Sequence, residues 1–300
     1  MPDRTMKGVY PILSLPCDAQ GRIDYEDLAQ QTEWFNKCGV HGIGIAMATE
    51  VYKLTEAERD KVLQTVVKAN RGRAKVVMNS GAEGTDIATT WSKRAEELGA
   101  NALMIRPPTY VATTADQNVE YFVRIARAVK IPIFLQDQST APVSPPMAVR
   151  CARAHENLCY IKVETPPTTP RMAEANALKG DSGLVLFGGA GGAFVLEEYR
   201  RGSVGTMPGS TLPDMFVRTW DLWQAGKKKQ AEAEFHRHAA LIRTLGQGLG
   251  LSGPIYKHIM WRRGVFKKTS VYARHPALPA TKEDLKEVDQ LLEELDLAGK

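Results

Sequence analysis

Short apolar runs alternate along this chain with longer segments in which apolar residues return every three or four positions. The runs are GVYPILSL (8–15), GIGIAM (42–47), AKVVMN (74–79), ALMIRP (102–107), IPIFLQ (131–136), CYIKVE (159–164), LVLFGG (184–189) and GSVGTM (202–207). Successive runs start 25 to 34 residues apart, except for a last interval of 18. Because this period is typical of a strand followed by a helix, the pattern predicts eight strand–helix units.

The segments between the runs carry the start and stop signals of helices. Residues 55–70, TEAERDKVLQTVVKAN, open with the capping box Thr55-x-x-Glu58 and repeat apolar residues at helical spacing. Residues 92–101 end a helix at Gly99, and the next strand follows closely. We therefore expect helices between the strands.

Eight strands joined by helices predict an α/β fold, a (β/α)8 or TIM barrel, because right-handed parallel crossovers that repeat eight times close on themselves. We assign residues 1–210 to the barrel and residues 211–300 to a C-terminal helical extension that packs on it as part of the same structural unit. The helices predicted there lie at 212–227, 229–248, 253–264 and 282–296. An open doubly wound sheet is the alternative, although no G-x-G-x-x-G motif follows the first strand.

The composition is that of a globular protein, since 43% of the 300 residues are hydrophobic and 24% are charged. No apolar run approaches the roughly 18 residues of a membrane span, and the N-terminal residues lack the apolar core of a signal peptide. We therefore expect a cytoplasmic protein without a membrane partner. The four cysteines show no C-x-x-C spacing, which favours reduced core residues and predicts no metal site.

The net charge of +5 raises the question of a polyanionic partner. The densest basic runs are KKK at 227–229 and WRRGVFKK at 261–268, and no nucleic-acid motif accompanies them. We interpret both as solvated helix faces and expect no nucleic-acid partner. A positive protein does, however, attract a small anionic substrate.

The sixth run places a lysine inside a predicted strand. Because side chains alternate along a strand, Tyr160, Lys162 and Glu164 share one face, and Ile161 and Val163 share the other. In a barrel, catalytic groups gather where the strands end, so Lys162 is expected to point inward just below the mouth. Desolvation there favours the neutral amine, which is a nucleophile for a ketone. A salt bridge between Lys162 and Glu164 at the strand end is the alternative interpretation.

Four segments carry a resemblance to a known family: GVYPILSLPCDAQGRID at the start, GIGIAMATEVYKLTEAER after the second strand, CYIKVE on the sixth and GSVGTMPGSTLPDMF at the eighth. Over essentially the whole chain they resemble the dihydrodipicolinate synthase and N-acetylneuraminate lyase family of class I aldolases. The resemblance implies that Lys162 forms a Schiff base with a small anionic 2-oxo acid, usually pyruvate. The resemblance implies no cofactor beyond this covalent lysine imine. It also implies that the protein forms a homotetramer.

Two loops at the barrel mouth differ from the family pattern. The family's Thr-Thr-Gly-Glu turn, which holds the carboxylate of the 2-oxo acid, is replaced by MATE at 47–50. The N–H groups of Ala48 and Thr49 and the Thr49 hydroxyl are candidates for that role, since a turn of amides forms an anion site. A helix cap is the alternative role for Thr49. The small-residue loop FGGAGG (187–192) lacks the family's acidic pair, and we assign its Gly189 to substrate binding.

The fifth strand ends in Gln136 where the family has a proton-shuttling tyrosine. An amide does not titrate, so we expect Gln136 to orient a substrate hydroxyl or water without acting as acid or base. The arginine that binds the aldehyde in dihydrodipicolinate synthases is also missing, because Ala141 lies near its position. Both differences argue against aldehyde condensation.

The segments IPIFLQD, YIKVETP, GSVGTMPGSTLPD and ARHPALP are similar to those of L-2-keto-3-deoxyarabonate dehydratases, which keep the lysine but remove water. The resulting hypothesis is a Schiff-base lyase that dehydrates a 2-keto-3-deoxy sugar acid, such as L-2-keto-3-deoxyarabonate, to 2-oxoglutarate semialdehyde, with Glu164 moving protons. Two alternatives stay open: a pyruvate-dependent aldolase or condensing enzyme, and a barrel that binds a 2-oxo acid without catalysis.

The remaining candidates lie at the ends of other strands. Tyr110, in the loop RPPTY after the fourth strand, is a candidate catalytic phenol, with a packing aromatic as the alternative. Arg106 is a candidate ligand for a substrate hydroxyl or carboxylate, with a structural ion pair as the alternative. Asn79, after the third strand, is a hydrogen-bond candidate, and we assign Met207, at the end of the eighth strand, to substrate binding.

Overall fold

Eight parallel strands form a nearly closed barrel in the computed structural model, which describes residues 1–299. The strands are β1 (Gly8–Val9), β2 (Gly42–Ile45), β3 (Lys75–Asn79), β4 (Ala102–Ile105), β5 (Ile133–Asp137), β6 (Tyr160–Val163), β7 (Val185–Gly188) and β8 (Gly205–Thr206). They are hydrogen-bonded in the order β1-β8-β7-β6-β5-β4-β3-β2. Two further hydrogen bonds, from Leu13 N to Gly44 O and from Gly44 N to Pro11 O, both 2.9 Å, close the ring between β1 and β2.

Helices follow the strands in alternation. They are α1 (Tyr25–Lys37), α2 (Glu56–Asn70), α3 (Thr85–Glu97), α4 (Ala115–Ala126), α5 (Pro145–Ala154), α6 (Thr168–Leu178), α7 (Val195–Tyr199), α8 (Pro213–Gln224), α9 (Lys228–Arg237), α10 (Ala239–Leu245), α11 (Leu249–Arg262) and α12 (Lys282–Glu294). This alternation and the pairing of β1 with β8 confirm the (β/α)8 barrel and exclude the open sheet. Over residues 1–299, no helix combines the length and the apolar character needed to cross a membrane.

The helix start predicted at Thr55 and the helix end predicted at Gly99 are both present in the structure. Thr55 caps α2, its hydroxyl accepting from Glu58 N at 3.3 Å while the Glu58 carboxylate accepts from Thr55 N at 3.0 Å. Gly99, just beyond α3, adopts a φ of +95°, which favours glycine. The first and last strands are shorter than the apolar runs that predict them. Pro11 and Pro208 follow these strands closely, and a proline has no N–H for a strand ladder.

Large aromatic rings fill the interior of the barrel. Phe134 and Tyr160 stack with their centroids 4.4 Å apart, and Phe187 meets Tyr10 edge to face at 5.4 Å. Gly42 on β2 is required here, because the Tyr10 ring occupies the space that a Cβ would take. The interior is therefore a packed core and not a channel.

A larger apolar cluster lies between the sheet and the helices. On β6, Ile161 and Val163 belong to this outer cluster, whereas Tyr160 belongs to the cluster inside the barrel. The alternation predicted for the sixth strand is thus confirmed, and it directs Lys162 inward.

The C-terminal helices pack on the barrel. α8 contacts β1 and α9, and α10 reaches the turn Ala190–Gly192 at the mouth. The helix predicted at 229–248 is split into α9 and α10, because the backbone leaves helical geometry at His238, with φ −100° and ψ 3°. α11 is tied to the barrel by the buried Lys257, which forms an ion pair with Glu50 and donates to Tyr272 O at 2.8 Å.

Candidate active site

Lys162 lies at the carboxyl end of β6 and is 3% exposed. Its Nζ is 2.8 Å from Oε1 of Glu164, whose side chain is 19% exposed. The inward orientation predicted for Lys162 and the salt bridge proposed as the alternative are therefore both present. At this distance Glu164 is placed to accept the proton that Lys162 must lose before its amine can act as a nucleophile.

Gln136 connects this pair to the neighbouring strands. Its register partner across β5 and β6 is Lys162, and its Nε2 donates to Glu164 Oε2 at 3.0 Å. Asn79, at the end of β3, donates from Nδ2 to Gln136 Oε1 at 3.3 Å. The two amides thus hold the Glu164 carboxylate in place beside Lys162. That Gln136 orients a substrate hydroxyl or water stays a prediction.

Gly189 packs directly against the pair. A Cβ at this position would lie 2.9 Å from Glu164 Cδ and 3.0 Å from Lys162 Cε. The close contact alone therefore requires a glycine at this position. The loop at 187–192, which contains Gly189, therefore packs against the side chains of Lys162 and Glu164.

Replacing Gly189 with alanine is expected to lower turnover by about 100-fold, since a displacement of about 1 Å in a reacting group has an effect of that order. Steady-state kinetics of Gly189→Ala against Gly253→Ala provide the check. A Cβ at Gly253 meets no atom within 4 Å, so this variant controls for the added methyl group. Equal turnover in the two variants would contradict a positioning role for Gly189.

A cavity of about 470 Å3 opens above Lys162 at the mouth of the barrel. The strand ends and the loops that follow them line it with Ala46, Met47, Ala48, Gln136, Lys162, Glu164, Met207 and Gly209, and the C-terminal helices add Ile242, Arg243, Leu245, Ser252 and Tyr256. Most of this surface is apolar, and a few polar groups converge near the lysine. This is the usual character of a small-molecule site.

The turn at Met47–Thr49 forms one side of the cavity. Thr49 is fully buried, and its hydroxyl donates to Leu13 O at 2.7 Å and accepts from Ala46 N at 3.1 Å. Its own N–H donates to Ala46 O. Thr49 therefore closes the turn, as the capping alternative predicts. The N–H groups of Met47 and Ala48 have no acceptor within residues 1–299, so they are the donors that a carboxylate can use.

Tyr110 and Arg106 lie outside this cavity. Tyr110 is 91% exposed, and its N–H donates to Glu83 Oε2 at 2.8 Å. Arg106 pairs with Glu83 Oε1 at 2.7 Å and donates to Pro107 O at 2.9 Å, which is the structural partnership expected under its alternative role. Within one chain, therefore, neither Tyr110 nor Arg106 contacts Lys162.

Two residues near the site escaped the sequence analysis. Tyr256 reaches the cavity from α11, nearly a hundred positions beyond Lys162, and no local pattern connects them. Glu198 is fully buried on α7 beside Gly188, and burial raises the pKa of its carboxyl from 4.5 to about 8. The pair Glu197-Glu198 looks like a solvated helix face in the sequence, so only the packing identifies Glu198.

No metal centre accompanies these groups in the part of the chain that the structure describes. Among residues 1–299, no three His, Cys, Asp or Glu side chains are grouped so that they could hold a metal ion. The burial predicted for the cysteines holds for Cys17, Cys151 and Cys159, whereas Cys38 is half-buried.

The sequence and the fold of this chain are similar to those of known proteins. The sequence model described as the dihydrodipicolinate synthetase family matches residues 5–295. An L-2-keto-3-deoxyarabonate dehydratase from Azospirillum brasilense is 28% identical over 97% of this chain and 96% of its own. A 4-hydroxy-tetrahydrodipicolinate synthase from Methanococcus maripaludis strain C5 is 26% identical over 77% of this chain and 80% of its own. The crystal structure of dihydrodipicolinate synthase from Rhodopseudomonas palustris superposes with a TM-score of 0.88 at 26% identity, covering 97% of this chain and 98% of that one.

Proposed function

Since this chain belongs to the dihydrodipicolinate synthetase family of class I aldolases and lyases, we propose that it removes water from a 2-keto-3-deoxy sugar acid through an imine on Lys162. The substrate that fits best is L-2-keto-3-deoxyarabonate, and the product is then 2-oxoglutarate semialdehyde. The observation that carries the proposal is the contact of 2.8 Å between Lys162 and Glu164, with Gln136 bound to the same carboxylate. The full-length similarity to an L-2-keto-3-deoxyarabonate dehydratase supports the choice of substrate.

Imine formation begins with a proton transfer within the ion pair. Glu164 takes a proton from Lys162, and the neutral amine adds to C2 of the 2-oxo acid. The departing oxygen receives two protons, one that the attached nitrogen releases and one that Glu164 returns, and it leaves as water. The product of this step is a cationic imine at C2. Met47 and Ala48 line the cavity, and their N–H groups, which have no acceptor within residues 1–299, hold the C1 carboxylate during the addition.

The cationic imine withdraws electrons from C3 and makes its protons acidic, which prepares the loss of the C4 hydroxyl. Glu164, again a carboxylate, removes a proton from C3 and an enamine forms. The enamine expels the C4 hydroxyl, and a C3–C4 double bond conjugated with the imine results. Loss of a C5 proton gives a dienamine, and protonation at C3 then leaves an enol at C4 and C5. This enol becomes the aldehyde as C4 gains a proton and the C5 hydroxyl loses one, and water then hydrolyses the imine to release the product.

Gln136 favours dehydration over the aldol chemistry of other family members. Aldol cleavage requires a base for the C4 hydroxyl, and the amide of Gln136 at the end of β5 cannot accept that proton. Ala141, near which the family's aldehyde-binding arginine falls, likewise provides no charge for an aldehyde substrate. The synthase from Methanococcus maripaludis makes condensation the second candidate, and the same experiment distinguishes it.

The test is reductive trapping of the imine. The protein is incubated with pyruvate or with L-2-keto-3-deoxyarabonate, borohydride is added, and the intact mass and the modified peptide are measured. We expect an adduct on the peptide that contains Lys162 with both ligands, and with the sugar acid its mass should match the dehydrated substrate. The peptide containing Lys257 is an internal control, because this lysine is equally buried but is engaged with Glu50.

Each other outcome identifies a different function. Formation of pyruvate and glycolaldehyde from the sugar acid would replace dehydration by aldol cleavage. The absence of any adduct with a panel of 2-oxo acids, together with ligand binding in calorimetry, would indicate a barrel that binds without catalysis. An adduct on Lys257 alone would refute the role of Lys162.

A further inference from the structure

A phenol enters the Lys162 cavity from the C-terminal helix α11. Tyr256 is 6% exposed and lines the cavity together with Lys162, Glu164 and Gln136. Its hydroxyl makes no hydrogen bond to another residue within 1–299, although the cavity lies next to it. A buried hydroxyl without a protein partner at a ligand cavity is available to a ligand.

Two glycines make room for this hydroxyl. A Cβ at Gly209, in the loop after β8, would lie 2.6 Å from both Cζ and Oη of Tyr256. A Cβ at Gly191, in the loop after β7, would lie 3.8 Å from the same oxygen. The phenol thus sits between the two loops at the mouth, where any side chain at 209 would displace it.

The neighbouring residue in α11 fixes the position of Tyr256. Lys257 is buried, pairs with Glu50 and donates to Tyr272 O at 2.8 Å. Glu50 directly follows the turn Met47–Thr49, which faces the same cavity. This ion pair ties α11 to the turn whose N–H groups we assign to the substrate carboxylate, so it places the phenol and that turn on the same cavity.

The surroundings keep the phenol protonated. Burial, and then the negative charge of Glu164, raise the pKa of Tyr256 to about 12. At neutral pH the group is therefore a proton donor. Tyr256 and Ser252 are the two residues lining this cavity that carry a neutral hydroxyl. Lys162 forms the imine in the proposed mechanism, and Glu164 moves the C3 proton.

We propose that Tyr256 is the general acid that protonates the leaving C4 hydroxyl of the substrate. The assignment rests on the proposed dehydration. As the enamine forms the C3–C4 double bond and the C4–O bond breaks, the hydroxyl takes the phenolic proton and departs as water. The phenolate then removes a proton from C5, which restores the phenol and yields the dienamine that Glu164 protonates at C3. The cycle needs no co-reactant. It supplies an acid for the departure of the C4 hydroxyl, which the amide of Gln136 cannot protonate.

The test is the substitution Tyr256→Phe, which removes one oxygen and keeps the ring. We expect dehydration of L-2-keto-3-deoxyarabonate to fall by about 100-fold or more, the usual contribution of a general acid. Trapping of pyruvate on Lys162 and exchange of the pyruvate methyl protons with D2O require only imine and enamine, so both should stay within about 3-fold of the unsubstituted protein. Tyr52→Phe is the matched control, because Tyr52 is half exposed and does not line this cavity.

Two results would overturn the assignment. Dehydration by Tyr256→Phe within about 3-fold of the unsubstituted protein would exclude the phenol as the acid. A parallel loss of trapping, exchange and dehydration would show that Tyr256 only packs the cavity. Failure of the proposed dehydration itself gives a different result, because the unsubstituted protein would then trap pyruvate without dehydrating the sugar acid. That result would also overturn the role of Tyr256 as the acid.

Discussion

Replacing Lys162 with methionine is expected to abolish the borohydride adduct and to lower turnover by about 10,000-fold or more, the scale on which removal of a covalent nucleophile acts. Methionine has similar length and no amine, so the variant separates the chemistry of Lys162 from its volume. Without the imine, C3 loses the electron sink that makes its protons acidic. Rate measurements with the sugar acid and mass spectra after trapping with pyruvate provide the check.

The fold should survive this substitution. Glu164 keeps the hydrogen bond from Gln136 and its partial contact with solvent, so it is not left as an isolated buried charge. The matched control is Lys257→Met, which removes the other buried lysine. That variant should be less stable, because Glu50 loses one of its two lysine partners, but Lys162 should still form the pyruvate adduct. An adduct in the Lys162→Met protein would disprove the assignment of the nucleophile.

Glu198→Gln is expected to make the protein more stable at pH 8 by as much as about 5 kcal/mol. Glu198 is fully buried, and neither carboxyl oxygen has a hydrogen-bond partner of good geometry among residues 1–299. The burial raises the pKa of this carboxyl from 4.5 to about 8 in the folded protein. An ionised carboxylate at this place would also face the charge of Glu197 and of Glu164, with Lys162 in partial compensation.

The direction of the pH dependence follows from proton counting. Below pH 4.5 the folded and unfolded chains both hold the Glu198 proton, and its contribution to stability is fully present. Between pH 4.5 and about 8 the unfolded chain releases the proton and the folded chain keeps it, so the free energy of unfolding falls as pH rises. Each pH unit in this window costs about 1.4 kcal/mol. Glutamine does not titrate and removes this loss.

Urea unfolding at pH 4, 6 and 8 measures the effect. The difference between Glu198→Gln and the unsubstituted protein should grow from near zero at pH 4 to its maximum at pH 8. Glu197→Gln is the control, since Glu197 is partly exposed and lies 3.7 Å from Arg200. A constant difference at all three pH values would indicate that Glu198 is ionised in the folded protein.

The sequence predicted the elements that depend on local spacing. The period of the apolar runs identified eight strands, and the Thr55-x-x-Glu58 box located the start of α2, because both signals arise from contacts between near neighbours in the chain. The strand ends were less accurate. Pro11 and Pro208 shorten the first and last ladders, and their effect depends on the register with the adjacent strand.

Part of the candidate site was predictable for the same reason. Alternation along β6 places Lys162 and Glu164 on one face, and the family resemblance supplies the chemistry. The amide role of Gln136 also follows from its identity alone. The assignment of Thr49 to carboxylate binding rested on its N–H and its hydroxyl, and in the structure these donate to Ala46 O and to Leu13 O instead. A turn's hydrogen bonds depend on which backbone atoms approach it, and sequence spacing does not specify them.

The sequence by itself determined the barrel, the position of Lys162 inside it and the placement of Lys162 and Glu164 on one face, because strand period and side-chain alternation are properties of short segments. The tertiary structure alone decided which distant groups meet this pair. Tyr256 approaches it only because α11 folds back over the mouth, and Glu198 becomes a neutral acid only because α7 packs against β7. Proximity across many residues and the loss of solvent around a charge both arise from the assembled fold, so no local pattern records them.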